Sequence, residues 1–88
     1  MREKRNVSQI EIQVRFGRTI RRRRQEMGLS QEELAARAGL HRTYLADVER
    51  GSRNVALQNI EKIAAALNLS LSSLFSDYEG EGESENEI

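Results

Sequence analysis

Apolar residues fall along the chain in short groups, most of them closed by a glycine or an asparagine. Ile10, Ile12, Val14 and Phe16 alternate as in a strand, whereas Ile12, Phe16 and Ile20 recur at i, i+4 as on a helix. The helical reading holds beyond Val14, because the run Arg18 to Gln25 has strong helix formers and no long β-branched stretch. Met27 extends that stripe and Gly28 supplies a left-handed cap. Ser30-Gln31-Glu32-Glu33 has the capping-box pattern and opens a second helix to about Ala38, with Leu34 and Ala38 inward. Gly39 gives the positive φ of a tight turn. A third helix, about Arg42 to Arg50, carries Tyr44, Leu45 and Val48 on one side, and Gly51 stops it. Leu57, Ile60, Ile63, Ala64 and Leu67 mark a fourth, with Asn68 just past its end. Ser70 caps a short fifth with Leu71, Leu74 and Phe75. The pattern predicts an all-α, five-helix domain.

Composition divides this string into three parts. Residues 1–9 are polar and expected to be a flexible N-terminal segment. Residues 10–76 form the folded domain. Residues 77–88 alternate acid with small residues and are expected to be a disordered acidic tail. The whole chain holds 14 Lys/Arg and 14 Asp/Glu, a net charge of zero. All 14 bases lie in residues 1–76 with eight of the acids, leaving that body at +6. Six acids and no base lie in residues 77–88, at −6. The body is therefore basic enough to suit nucleic acid. The tail either merely solvates or competes electrostatically with DNA for the basic face.

Several function classes are excluded at the same level. With no cysteine and one histidine, neither disulfides nor a Cys- or His-rich metal site can form, and no metal or cofactor is expected. No Cys nucleophile, Ser-His-Asp order or phosphate loop points to catalysis. Gly17 and the Gly80/Gly82 pair carry no motif. No apolar run approaches the roughly 20 residues of a membrane span. The charged N-terminus lacks an apolar stretch behind it, so a cytoplasmic address is expected. A single core of this size is marginal below about 70–80 residues without a staple, and oligomerisation is the staple left.

The candidate chemistry lies in helix, glycine turn, helix: Gln31 to Ala38, Gly39-Leu40-His41, Arg42 to Arg50. Two short helices joined in this way form either a DNA-reading helix-turn-helix or part of a structural bundle. Side chains favour DNA. Arg42 offers a fork to guanine O6/N7, and Thr43 a hydroxyl and a methyl to thymine. Gln31 opens the first helix of the pair, where phosphate can be held. Arg50, Arg53 and Asn54 stand just past the second. Arg21 to Arg24, by contrast, run around the whole circumference of a helix and form no single DNA-facing stripe.

Gly28-Leu29-Ser30-Gln31-Glu32-Glu33-Leu34-Ala35, Ala38-Gly39-Leu40, Leu45 to Gly51 and Ile60 to Leu67 resemble, in order, the Cro/C1-type (XRE) family of phage-repressor-like helix-turn-helix domains, over about residues 14–76. Leu40 to Tyr44, Glu49 to Val55 and Asn59 to Ala64 are more narrowly similar to the controller proteins of restriction–modification systems. The resemblance implies a homodimeric transcriptional regulator on a pseudo-palindromic double-stranded DNA operator, autoregulatory, with RNA polymerase a candidate further partner. It implies base reading by Arg42 and Thr43, with Asp47 near the groove. It implies phosphate or register contacts by Gln31, Tyr44, Ser52, Arg53 and Asn54, to which Arg50 is added by its position, and a structural ion pair of Arg24 with Glu49. It places a dimer surface on Leu69, Leu71, Leu74 and Phe75. A phage-type repressor, an antitoxin-type regulator and a protein-interaction adaptor that reads no DNA are the alternatives on this fold. Three positions depart from the family: Arg23 stands where Leu is frequent, and His41 and Ala56 where Ser or Thr usually caps a helix. Arg23 can still cover the core with its stem while its head reaches water.

Overall fold

The computed structural model describes the backbone of residues 2–86 and the side chains of residues 11–78. Five helices follow one another: α1 Arg2–Glu26, α2 Gln31–Ala38, α3 Arg42–Arg50, α4 Leu57–Ala66 and α5 Leu71–Asn86. No strand occurs among the described residues, so the fold class is all-α. Helix α1 packs on α3 and α5, while α2 packs on α3 and α4. Ile20, Leu34, Leu45, Ile63, Leu67 and Leu74 are fully enclosed where these helices meet. Each such side chain contributes about 1.5–3 kcal/mol by leaving water.

The caps explain the boundaries. Ser30 Oγ accepts from the Glu33 amide at 3.0 Å, and Glu33 Oε1 accepts from the Ser30 amide at 2.8 Å. The bond from the Ser30 amide, helped by the Ser30 hydroxyl, holds the Glu33 carboxyl below its ordinary pKa. Gly39 and Gly51 end α2 and α3 in the left-handed region, at φ 69° and 80°. Helix α4 ends at Ala66, one residue short of the expected Leu67, because the Leu67 amide already bonds as a cap and Asn68 turns the chain at φ 58°. Ser70 Oγ accepts from the Ser73 amide at 3.0 Å and so opens α5. His41 and Ala56 precede α3 and α4 without any side-chain cap bond.

The outer helices run past the limits expected at residues 9/10 and 76/77. The flexible character expected for residues 1–9, and most of the disorder expected for residues 77–88, fall on side chains outside those described.

Two contacts tie α1 to its neighbours at a closeness the pattern did not foretell. A Cβ on Gly17 would lie 2.4 Å from the Val48 carbonyl oxygen and 2.6 Å from that of Glu49. The glycine thus lets the backbones of α1 and α3 touch, a tertiary role behind a residue without a motif. Arg23 lays its stem along the bundle and donates from Nε to the Leu67 carbonyl at 3.4 Å, at the open end of α4.

One expected surface residue moves to the interior. Leu74 is completely buried beneath α1 and α4, so it is core and presents nothing to a partner. The register of α5 explains the change: Leu74 turns inward, while Leu71 and Phe75 remain 37% and 39% exposed. Phe75 stacks on Phe16 with ring centroids 6.4 Å apart. Beside them Arg15 donates to the Tyr78 hydroxyl at 2.8 Å. Ile12, Phe16, Val55, Ile60, Phe75 and Tyr78 line an apolar groove bounded by α1, the α3–α4 loop, α4 and α5, with Arg53 and Asn54 of that loop also at its wall.

Candidate nucleic-acid interface

The start of α3 projects from the bundle because its other side is anchored. Leu45 and Val48 enter the core, and Glu49 is buried on the same side. Arg24 meets Glu49 with Nε 2.7 Å from Oε2 and Nη2 3.0 Å from Oε1, and its Nη1 also donates to the Leu29 carbonyl at 2.7 Å. Gln31 Nε2 donates to Glu49 Oε1 at 2.9 Å. One buried carboxylate therefore fastens α1, the start of α2 and α3 together. Gln31, expected at phosphate, spends one amide hydrogen on this joint.

With that side fixed, Arg42 and Thr43 are exposed at the first turn of α3. Thr43, Asp47 and Arg50 follow at i, i+4 and i+7, so they lie on one face. Arg42 Nη1 stands 3.6 Å from Glu32 Oε1, both side chains being largely in solvent. Asp47 accepts from Arg50 through Oδ1 and from Arg53 through Oδ2, the latter at 3.5 Å. Its backbone carbonyl also accepts from the Ser52 amide at 3.0 Å and the Ser52 hydroxyl at 3.1 Å. The Arg53 guanidinium lies 4.8 Å from the centre of the Tyr44 ring. Asn59 Nδ2 donates to the Tyr44 hydroxyl at 3.0 Å, which leaves the phenolic hydrogen available to an acceptor. Asn54 is exposed in the loop beyond.

The structure thus gathers Arg42, Thr43, Tyr44, Arg50, Ser52, Arg53 and Asn54 around the outer side of α3 and its exit. Asp47 sits among them with both oxygens engaged by arginines. Asn59 belongs to this set through Tyr44 and was missed in the sequence. It opens the stretch Asn59 to Ala64 that resembles the controller proteins, but its bond to Tyr44, 15 residues away on another helix, is not legible there. No cluster of metal-ligating side chains occurs among the described residues. No helix among them is long and apolar enough to cross a membrane.

A helix-turn-helix family profile matches residues 20–74, which hold the whole of this arrangement. Control protein C.MunI from a Mycoplasma species is 49% identical over 72 residues, spanning 81% of this chain and 97% of that protein. The chain belongs to the helix-turn-helix family of restriction–modification control proteins. Solved members have the same architecture. Controller protein C.AhdI from Aeromonas hydrophila superposes with a TM-score of 0.69 at 52% identity, covering 70% of this chain and 94% of that one. Controller protein C.Esp1396I has been solved as a tetramer in complex with its natural 35 base-pair operator. It superposes with a TM-score of 0.76 at 33% identity, covering 80% of this chain and 92% of that one. The family is one of DNA-binding regulators.

Proposed function

We propose that this controller binds a pseudo-palindromic operator as a homodimer and regulates restriction–modification genes together with its own. The observation that carries the reading is the exposed first turn of α3, Arg42 and Thr43, held outward by the buried Arg24–Glu49 joint. An arginine fork beside a threonine suits a guanine and a neighbouring thymine in the major groove. Tyr44, Arg50, Ser52, Arg53 and Asn54 surround that turn and suit phosphates on either side of it, which fixes register. Gln31 contributes through whatever its bond to Glu49 leaves free.

Dimerisation runs through Leu71, Phe75 and half-buried Leu69, beside Ile12 in the apolar groove, with Leu74 supporting them from inside. A two-fold axis there sets two reading helices about 34 Å apart, one turn of DNA. RNA polymerase is a second proposed partner, since a regulator bound at a promoter meets it. The site of action is the cytoplasm, where that DNA lies.

The test is fluorescence anisotropy with the DNA immediately upstream of the gene, against a scrambled duplex of the same length. At physiological salt the upstream duplex binds at least about 10³-fold tighter. A footprint then shows two half-sites one helical turn apart. Equal affinity for both duplexes overturns the reading and leaves an adaptor on the same fold.

A further inference from the structure

Every outward arginine around the start and exit of α3 already faces a carboxylate of this chain. Arg42 faces Glu32, and Arg50 and Arg53 share Asp47. The shared case is the more constrained. Asp47 gives one oxygen to each arginine and is only 20% exposed, whereas Arg50 and Arg53 are 64% and 48% exposed. Its place is fixed by the bonds of Ser52 to its own carbonyl. Each of its carboxylate oxygens already accepts from an arginine, and these are the cations best placed for phosphate.

We infer that Asp47 is a built-in phosphate mimic: it occupies Arg50 and Arg53 in the free protein and thereby weakens binding to DNA that offers only backbone charge. The inference rests on the operator-binding reading above. Phosphate must displace the carboxylate before either arginine contributes to affinity. On the operator, base contacts at Arg42 and Thr43 hold the helix in the one register that brings phosphates to both arginines, and the exchange goes through. On other sequences the register is not held, and Asp47 keeps its partners. Asp47 is on this argument a selectivity residue that touches no base.

The experiment is a salt titration of binding to the upstream duplex and to a scrambled duplex, for the full chain and for Asp47→Asn. Each phosphate newly neutralised steepens the dependence of log K on log salt by about 0.9, which is roughly tenfold in affinity at 0.1 M salt. Asp47→Asn is expected to bind the scrambled duplex about tenfold tighter per protomer, with a slope steeper by about one. Its operator affinity changes less, so the preference for the operator narrows. Glu61→Gln makes the same charge change on the exposed side of α4, outside the arginine cluster, and leaves the preference as it was. In a triple variant that adds Arg50→Ala and Arg53→Ala, the gain disappears. Circular dichroism melting confirms folding of each protein, and Asp47→Ser replaces Asp47→Asn if the amide does not fold. An unchanged or wider preference overturns the inference. So does a gain that survives loss of both arginines, or weaker operator binding with altered base choice at one position, which marks a base reader. If the unaltered protein fails to prefer the upstream duplex, the operator-binding reading itself has failed.

Discussion

Arg24 and Glu49 face each other across the contact of α1 and α3 as a two-pronged pair, their side chains only 11% and 3% exposed. Two charges withdrawn from water this far are expensive unless every polar atom finds a partner. Leu29 and Gln31 supply the remaining partners. The pair therefore sets the pose of α3 more than it adds net stability. Arg24→Ala leaves a buried carboxylate without its counter-charge and is expected to cost about 3–5 kcal/mol. Urea denaturation measures this as a lower midpoint at unchanged slope. Arg24→Lys rescues only part of it, because an ammonium cannot present two parallel donors.

Gly17→Ala tests the backbone contact beside that pair. Alanine favours a helix interior by about 1 kcal/mol over glycine. Its Cβ, however, would sit 2.4 Å from one α3 carbonyl and 2.6 Å from the next. Overpacking of that kind costs about 1–3 kcal/mol or more, so the net effect is destabilising. Gly28→Ala is the comparison. Nothing lies within 4 Å of its Cβ, and only the positive φ of 70° opposes it, at about 1–2 kcal/mol. Thermal melts of the two variants separate a packing cost from a conformational one.

The two faces of α5 are expected to respond differently. Leu74→Ala opens a cavity in the core and costs about 2–5 kcal/mol. Leu71→Ser with Phe75→Ser removes exposed apolar surface and is expected to leave a folded monomer. Sedimentation equilibrium shows the loss of the dimer, and circular dichroism shows the retained helices. If the double variant sediments as the parent does, the dimer surface lies elsewhere.

Arg42 and Arg53 are expected to fail in different ways. Arg42→Ala loses about 1–3 kcal/mol on the operator and relaxes choice at one base position. Arg53→Ala weakens binding to the operator and to its single-base variants alike, without changing base choice, and makes the salt slope on them shallower by about one, while binding to scrambled DNA changes less. A panel of single-base operator variants, titrated at three salt concentrations, separates the two patterns.

The acidic end offers a further check. Tyr78 is tied to Arg15, so a truncation that keeps the fold ends after that residue. Residues 79–88 carry five glutamates and no base. Their removal is expected to tighten binding to scrambled DNA at low salt, with the effect fading as salt rises past the Debye regime. An unchanged low-salt affinity assigns those residues a solvating role alone.

Much of this architecture is written locally. Ser30 with Glu33, and the glycines at 39 and 51, mark element ends because capping involves residues a few positions apart. The outward pair Arg42–Thr43 is legible for the same reason, as the start of a helix after a turn. Other features are not local. Gly17 owes its place to carbonyls 31 and 32 residues further on, and Asn59 owes its role to Tyr44 on another helix. Leu74 and Phe75 are adjacent apolar residues on one short helix, and only its seating on α1 and α4 shows which one turns inward. Asp47 lies on the expected face, but its chemistry is decided by an arginine in the following loop.

The succession Phe16-Gly17 on α1 has one more consequence. Phe16 stacks on Phe75, and the next residue admits the backbone of α3. The groove proposed as dimer surface and the seat of the proposed reading helix therefore share two consecutive residues of one rigid rod. On the dimer and reading turn proposed above, the spacing of half-sites is inherited from that dipeptide, while the letters read are chosen at positions 42 and 43. A lineage can exchange its letters one substitution at a time, but it can alter the spacing only by rebuilding the rod. Diverging controllers of this type are accordingly expected to drift in operator sequence long before they drift in operator length.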